Sequence, residues 1–281
     1  MSAPDIRITI LVDNTAVAPS LLTEHGLSVW IDVGDRHILW DTGQSDRLVH
    51  NARAMGIDLG RADAVALSHG HYDHTGGLAA VLGTAPNAKV YLHPNAVEAR
   101  YSLKKDGRRF IGMPQNGRRR LTEKKAVDAV VYVNQRTEIF GGMTLTGPVP
   151  RRTAYEDTGG HFYNDPACTV VDDIADDQSL YFECSEGLVI VLGCAHSGVV
   201  NILDAVSEWT ASDKIYAVIG GMHLVNADAD RMERTIKAFQ RYSIQKIAPL
   251  HCTGIRAMQQ LKEVFGSRCL ALGTGSQICF S

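Results

Sequence analysis

The chain has 281 residues, 45% hydrophobic and 21% charged, which is enough apolar side chain to bury one large core. Its formal net charge of -3 excludes the strongly basic footprint of a dedicated nucleic-acid binder. No uncharged apolar run reaches the ~18 residues of a membrane span, and Asp5, Arg7 and Asp13 interrupt the apolar start, so neither a span nor a secretion signal is expected and the expected location is the cytoplasm.

In chain order, apolar runs rich in Val, Ile, Leu and Tyr predict strands at Ile6 to Val12, Leu27 to Val33, His37 to Trp40, Ala64 to Leu67 and Lys89 to Leu92. Helical spacing of apolar residues predicts helices over Ser45 to Met55, Gly76 to Leu82 and Asn95 to Tyr101. Lys104 to Lys125, "KKDGRRFIGMPQNGRRRLTEKK", mixes many cations with Gly and Pro and reads as a basic insertion or flexible loop near 104-125. A solvated surface is expected there, with a lid over an anionic substrate as the alternative. Further strands are expected at Ala129 to Val133, in a hairpin of Glu138 to Phe140 and Met143 to Thr146, and at Ser179 to Cys184, Leu188 to Leu192, Ile215 to Ile219, Lys246 to Pro249 and near Gln277 to Phe280. Helices are expected over Gly198 to Trp209, Asp228 to Tyr242 and Gly254 to Phe265. Two groups of strands, each followed by helices, suggest an α/β chain in which two sheets pack face to face under outer helices, within a single domain spanning 1-281.

"LSHGHYDHTGGL" (67 to 78) concentrates His69, His71, Asp73 and His74 in the loop after a predicted strand. Polar side chains so close together need partners once water is removed. His69 and His71, two apart in extended chain, can point the same way, while Asp73 and His74 turn with the loop toward a neighbouring position, so one loop could serve two metal ions. Imidazole nitrogen and carboxylate oxygen suit zinc, iron or manganese. More histidines stand at the ends of predicted strands: His196 in "VIVLGCAHSG", His223 in "YAVIGGMHL" and His251 in "IAPLHCTG". His223 reads equally as a neighbour of the metal or a substrate-facing group. His25, His37, His50, His93 and His161 lack such context, although His161 could approach the site from its loop. Asp41 in "ILWDTG" reads either as a turn former or as an acceptor orienting a metal-bound imidazole.

Six cysteines without a CxxC pair read as buried thiols. No G-x-S-x-G elbow accompanies Ser197, and "GTGSQ" is too short and too late for a dinucleotide fingerprint. Arg108, Arg109, Arg118, Arg119, Arg120, Arg151 and Arg152 are candidates for binding a substrate phosphate, most of them expected to be solvated.

His69-Gly-His71-Tyr-Asp73-His74 resembles the His-x-His-x-Asp-His signature of the metallo-β-lactamase superfamily, and the match runs from the Asp41-Thr-Gly turn to His251. "LVDN", "GCAHSGVVNI", "IGGMHL" and "PLHCTG" together resemble one narrower branch, similar to 7,8-dihydropterin-6-methyl-4-(β-D-ribofuranosyl)aminobenzene 5'-phosphate synthase. The resemblance implies an αββα sandwich of two mixed sheets flanked by helices. It implies one or two divalent cations, zinc first and manganese or iron as alternatives, with His69, His71 and His196 holding one and Asp73, His74 and His251 the other. Where many members carry a bridging aspartate after a glycine, this chain has Gly193-Cys194-Ala195-His196. Cys194 could supply a thiolate there, but its expected role is a buried structural one.

The implied function is a metal-dependent hydrolase using metal-bound hydroxide, with Asp73 and His223 as catalytic residues and a small-molecule substrate, a phosphorylated pterin or ribosyl compound being the finer expectation. No nucleic-acid or membrane partner is expected. The alternatives are a di-iron redox enzyme, for which no flavodoxin-like domain is present, and a catalytically silent, metal-stabilised small-molecule binding protein.

Overall fold

The structure, a computed structural model, describes residues 5–105, 107–125 and 127–281. Its strands are β1 (Ile6–Val12), β2 (Ser28–Val33), β3 (Arg36–Trp40), β4 (Ala64–Ala66), β5 (Lys89–Leu92), β6 (Tyr101–Lys104), β7 (Gly107–Phe110), β8 (Val130–Tyr132), β9 (Thr137–Phe140), β10 (Met143–Leu145), β11 (Phe162–Tyr163), β12 (Leu180–Cys184), β13 (Gly187–Val191), β14 (Ile215–Gly221), β15 (Lys246–Leu250) and β16 (Gln277–Phe280). The helices are α1 (Arg47–Ala54), α2 (Tyr72–Thr75), α3 (Leu78–Thr84), α4 (Gln115–Lys125), α5 (Val199–Thr210), α6 (Ala229–Arg241) and α7 (Ile255–Phe265). None is long and apolar enough to cross a membrane.

Seven strands form one sheet in the order β16-β1-β2-β3-β4-β5-β8, and six form a second in the order β15-β14-β13-β12-β10-β9. The two pack as an αββα sandwich because the strands carry apolar residues on both faces. Along β13, Val189 and Val191 point into the core between the sheets, where they join Ile8, Ile31 and Ile38 of the first sheet. Leu188 and Ile190 point outward into a core shared with Val199, Ile202 and Leu203 of α5. Each such side chain, fully buried, contributes about 1.5–3 kcal/mol relative to exposure. Trp30, Leu39 and Val65 likewise face Leu48, Leu78 and Val81 under α1 and α3. A near-continuous apolar run therefore marks a strand covered on both faces, not a membrane segment.

The strands β3, β4, β5 and β8 are mutually parallel, as are β13, β14 and β15. Parallel strands end on the same side, so each sheet brings the loops after its parallel strands to one edge. Ligand sites in α/β sheets favour such carboxyl ends.

Two expected elements differ, and of the six cysteines expected to be buried Cys279 is exposed and Cys168 half-buried. The helix expected over Asn95 to Tyr101 is only a short 3₁₀ turn, Pro94–Val97, after which β6 begins at Tyr101. Arg100, only 1% exposed, is committed to Asp172 and Asp176 from a distant part of the chain, and this holds the backbone out of a helix. The supposed loop 104-125 contains the end of β6, the strand β7 and the helix α4. In α4 only Gly117, Leu121 and Lys124 face inward, and Lys124 donates to the Ala88 carbonyl at 3.0 Å, so its one buried stripe includes a cation and gives little apolar periodicity. β6 pairs with β7 and with β11 in a small third sheet beside the sandwich.

Candidate metal centre

The loop after β4 bends at Ser68 and Gly70, is extended at His71 and then turns into α2, which places Asp73 and His74 on a helical turn. Asp41 follows β3, His196 follows β13, His223 follows β14 and His251 follows β15. Four of these turns hold a non-glycine residue at positive φ: Asp41 at 56°, Ala195 at 56°, His223 at 45° and His251 at 48°. Each costs on the order of 1–3 kcal/mol and persists only where surrounding packing enforces it. The strain falls at strand ends that aim side chains into one space.

His69, His71, Asp73, His74, His196 and His251 converge there, all buried. His69 Nε2 lies 2.9 Å from His71 Nδ1, and the His69 and His196 rings are 4.7 Å apart, centre to centre. The His74 and His251 rings are 5.0 Å apart, and His251 Nε2 is 3.3 Å from Asp73 Oδ2.

The outer nitrogen of four imidazoles is held from behind. His74 Nδ1 donates to Asp41 Oδ2 at 2.7 Å, and His196 Nδ1 donates to the Thr158 carbonyl at 2.7 Å. His251 Nδ1 donates to Asn14 Oδ1 at 3.0 Å. His69 Nδ1 donates to Ser68 Oγ at 2.9 Å, and that hydroxyl donates onward to Asp41 Oδ2 at 2.7 Å. Asp41 is thus the acceptor that orients His74. The remaining nitrogens carry lone pairs; that of His196 has no hydrogen-bond partner among the described residues, and that of His251 faces the Asp73 carboxylate at 3.3 Å. Buried lone pairs aimed at one another are costly without a cation, and outer-atom bonds of this kind fix metal-ligating histidines. The donor set fits a divalent metal.

Burial, then mutual repulsion, lowers the pKa of His69 and His196 well below the ordinary value of 6.5. Burial and the Arg100 cation do the same to His71. His74 runs the other way: against burial, the Asp41 carboxylate raises it to about 9. Burial would raise Asp73, but the His25 and His251 imidazoles beside it, with His74 nearby, hold its carboxyl well below the usual range. The three depressed histidines bind fewer protons folded than unfolded below pH 6.5, so the stability they contribute is lost as pH falls through that range. His74 contributes stability that is complete below 6.5 and lost as pH rises through about 9. With the three outweighing the one, we expect thermal unfolding of the metal-free protein to move to lower temperature as the pH drops below about 6.5. An unfolding temperature that is flat or rising from pH 7 to pH 5 would contradict this arrangement.

His223 stands beside the six rather than among them, its ring 4.4 Å from that of His196 and its neighbours Cys194 and Cys252. Gly159 packs against it: a Cβ there would lie 1.8 Å from His223 Cδ2, so no larger residue fits. His161 reaches the wall of the site.

Sequence reasoning missed His25, whose Nε2 is 3.2 Å from Asp73 Oδ2, and Cys252, which lies between Cys194 and His223. A signal for Cys252 was its position beside the strand-end His251. Nothing in the sequence around His25 marks it.

A cavity of about 660 Å³ opens over these residues, with His71, Asp73, His196 and His251 at its floor. The third sheet forms one wall, contributing Leu103, Lys104, Arg109 and Phe162. Of the seven candidate arginines, Arg109 alone lines the cavity, 4.8 Å above the Tyr72 ring. Arg120 and Arg152 are paired with Glu123 and Glu208, and Arg118 donates to the Met113 carbonyl.

A profile of the metallo-β-lactamase superfamily matches residues 23–165. An uncharacterized protein of Methanocaldococcus jannaschii is 32% identical over 92% of this chain and 94% of its own length. The 7,8-dihydropterin-6-methyl-4-(β-D-ribofuranosyl)-aminobenzene-5'-phosphate synthase of the same organism is 28% identical, covering 98% and 97% respectively. Among solved structures, Tm1679, described as a metal-dependent hydrolase of the β-lactamase superfamily, superposes with a TM-score of 0.81 at 32% identity, covering 97% of this chain and 98% of that one.

Proposed function

Since the chain belongs to the metallo-β-lactamase superfamily, we propose that it is a metal-dependent hydrolase whose substrate is a small phosphorylated molecule with a planar ring, of the pterin or ribosyl phosphate kind. One observation carries this reading: six buried ligand-type side chains converge, four of them lining the floor of a cavity whose wall presents both a cation and an aromatic face. His69, His71 and His196 would hold one cation and Asp73, His74 and His251 a second, zinc being the first expectation. A divalent metal there supplies Lewis acidity, which brings water to a pKa of roughly 7 and polarises the acceptor oxygen.

The chain's own residues do the rest. Asp73, kept ionised by His25 and His251, can orient an attacking water by accepting its hydrogen bond. His223, half-buried beside His196 with Cys252 at its side, can hold a proton and deliver it to a leaving group. Phe162, 5.1 Å from the His71 ring, offers a face for a planar ring, while Arg109 and Lys104 at the rim suit a phosphate. The metal-dependent hydrolase Tm1679 and the pterin-forming relative support the same direction.

The test is hydrolysis of matched phosphorylated and uncharged esters by the zinc- or manganese-loaded protein. Arg109→Ala should raise KM about 10- to 100-fold for the phosphorylated ester, the worth of one or two charge-assisted hydrogen bonds, and leave the uncharged ester unchanged. No turnover of any ester by metal-loaded protein would overturn the hydrolase reading. An equal effect on both esters would remove Arg109 from phosphate recognition.

A further inference from the structure

We propose that Cys194 is a metal ligand shared by both cation positions, its one sulphur standing where a bridging carboxylate would otherwise balance two charges. This rests on the reading of the site as a metal centre. Cys194 Sγ belongs to two separate groups of donor atoms, one with His69 and His196 and the other with His74 and His251, and within each group the atoms lie within 4.8 Å of one another. Its distance to His74 Nε2 is 3.1 Å, and that nitrogen is the one left available by the bond from His74 to Asp41.

Packing alone does not account for this sulphur. His196 and His251 are 1% and 4% exposed, and His196 buries an Nε2 with no hydrogen-bond partner among the described residues. Cys194 is 2% exposed and sits between them at the end of β13. The backbone is built to bring it there. Ala195 takes a positive φ of 56°, and Gly193 lies so close to the metal-binding loop that a Cβ would be 2.2 Å from Ser68 Oγ. Asp73 groups instead with His25 and His251, and belongs to neither of the two groups that Cys194 joins. Two dications a few ångströms apart repel strongly at low dielectric, and an anion between them relieves that repulsion. A thiol becomes that anion by releasing its proton to solvent as metal binds, with no change of oxidation state. Thiolate also favours zinc or cobalt over manganese, which narrows the metal expected at this site.

Cys252 is the rival sulphur. It lies with Cys194 and His223 in a third group, but in neither of the two histidine groups that Cys194 joins.

The test is cobalt(II) titration of the full-length protein after chelator treatment, followed by absorption spectroscopy and metal analysis. The parent should take up two equivalents and show a thiolate-to-cobalt charge-transfer band in the near ultraviolet. Cys252→Ser should keep the band. Cys194→Ser should lose it and fall to one equivalent, while Cys194→Asp should recover two equivalents without the band. A band lost in Cys252→Ser but kept in Cys194→Ser would overturn the assignment, as would full cobalt uptake by the parent without a band. If Cys194→Ser fails to fold, Cys252→Ser still decides: a band kept there leaves Cys194 as its source, and a band lost there overturns the assignment. No cobalt uptake by the parent would overturn both this proposal and the metal reading beneath it, whereas uptake with a band but no ester hydrolysis would sink only the hydrolase.

Discussion

Purified His71→Ala and Asp73→Ala variants should each retain about one metal equivalent fewer than the parent, and ester hydrolysis should fall on the order of a thousand-fold or more, several kcal/mol of lost charge stabilisation. The two substitutions act on different halves of the centre. His71 Nδ1 faces His69 Nε2 at 2.9 Å, so its loss opens the group that includes His196. Asp73 supplies a carboxylate against His251, so its loss strips the other half of negative charge and leaves three histidines facing one another. Elemental analysis beside circular dichroism separates lost metal from lost fold. A folded variant that keeps the full complement would show that its residue is not a ligand.

Arg100→Ala should destabilise the protein by about 3–5 kcal/mol, the cost of leaving a buried charge without its partner. Arg100 meets Asp176 at 2.6 Å and Asp172 at 3.3 Å, and both guanidinium and carboxylates are almost fully buried. Asp176 also accepts the Gly70 N–H at 2.8 Å, between the two histidines of the loop, so the ion pair reaches the metal site through one carboxylate. The apolar double variant Arg100→Met/Asp176→Leu should therefore recover only part of the stability, since the Gly70 N–H stays unpaired. It should also bind metal about 10- to 100-fold more weakly, as when a group that positions a ligand is removed. Chemical denaturation and metal titration measure the two effects. A cost below about 1 kcal/mol for Arg100→Ala would mean that the pair is solvated and contributes little.

The cluster from His69 to His74 was legible because ligands within one loop are close in sequence, and period-two geometry makes His69 and His71 neighbours whatever the rest of the chain does. Histidines at the ends of apolar runs could also be read, because parallel strands finish on one edge and His196, His223 and His251 close three successive strands of one sheet. For Asp41 the sequence left a turn former and an orienting acceptor equally open, and the 2.7 Å bond to His74, across 33 residues, decided between them.

The misreadings share a cause. α4 hides in 104-125 because its buried stripe is narrow and partly cationic, and β7 because all four of its residues are exposed, so apolar periodicity had little to register. His25 gave no signal because its partner Asp73 is far away in sequence, and Cys194 read as packing because a small buried thiol looks the same in sequence whether or not it faces nitrogens. The sequence by itself determined the layers, the strand ends and the presence of a ligand loop, since these follow from local periodicity and from donor types at short spacing. Only the tertiary structure decided which nitrogens stay free, which sulphur lies between the two histidine groups and which arginine reaches the cavity. Those facts depend on distances between chain segments that no local pattern encodes.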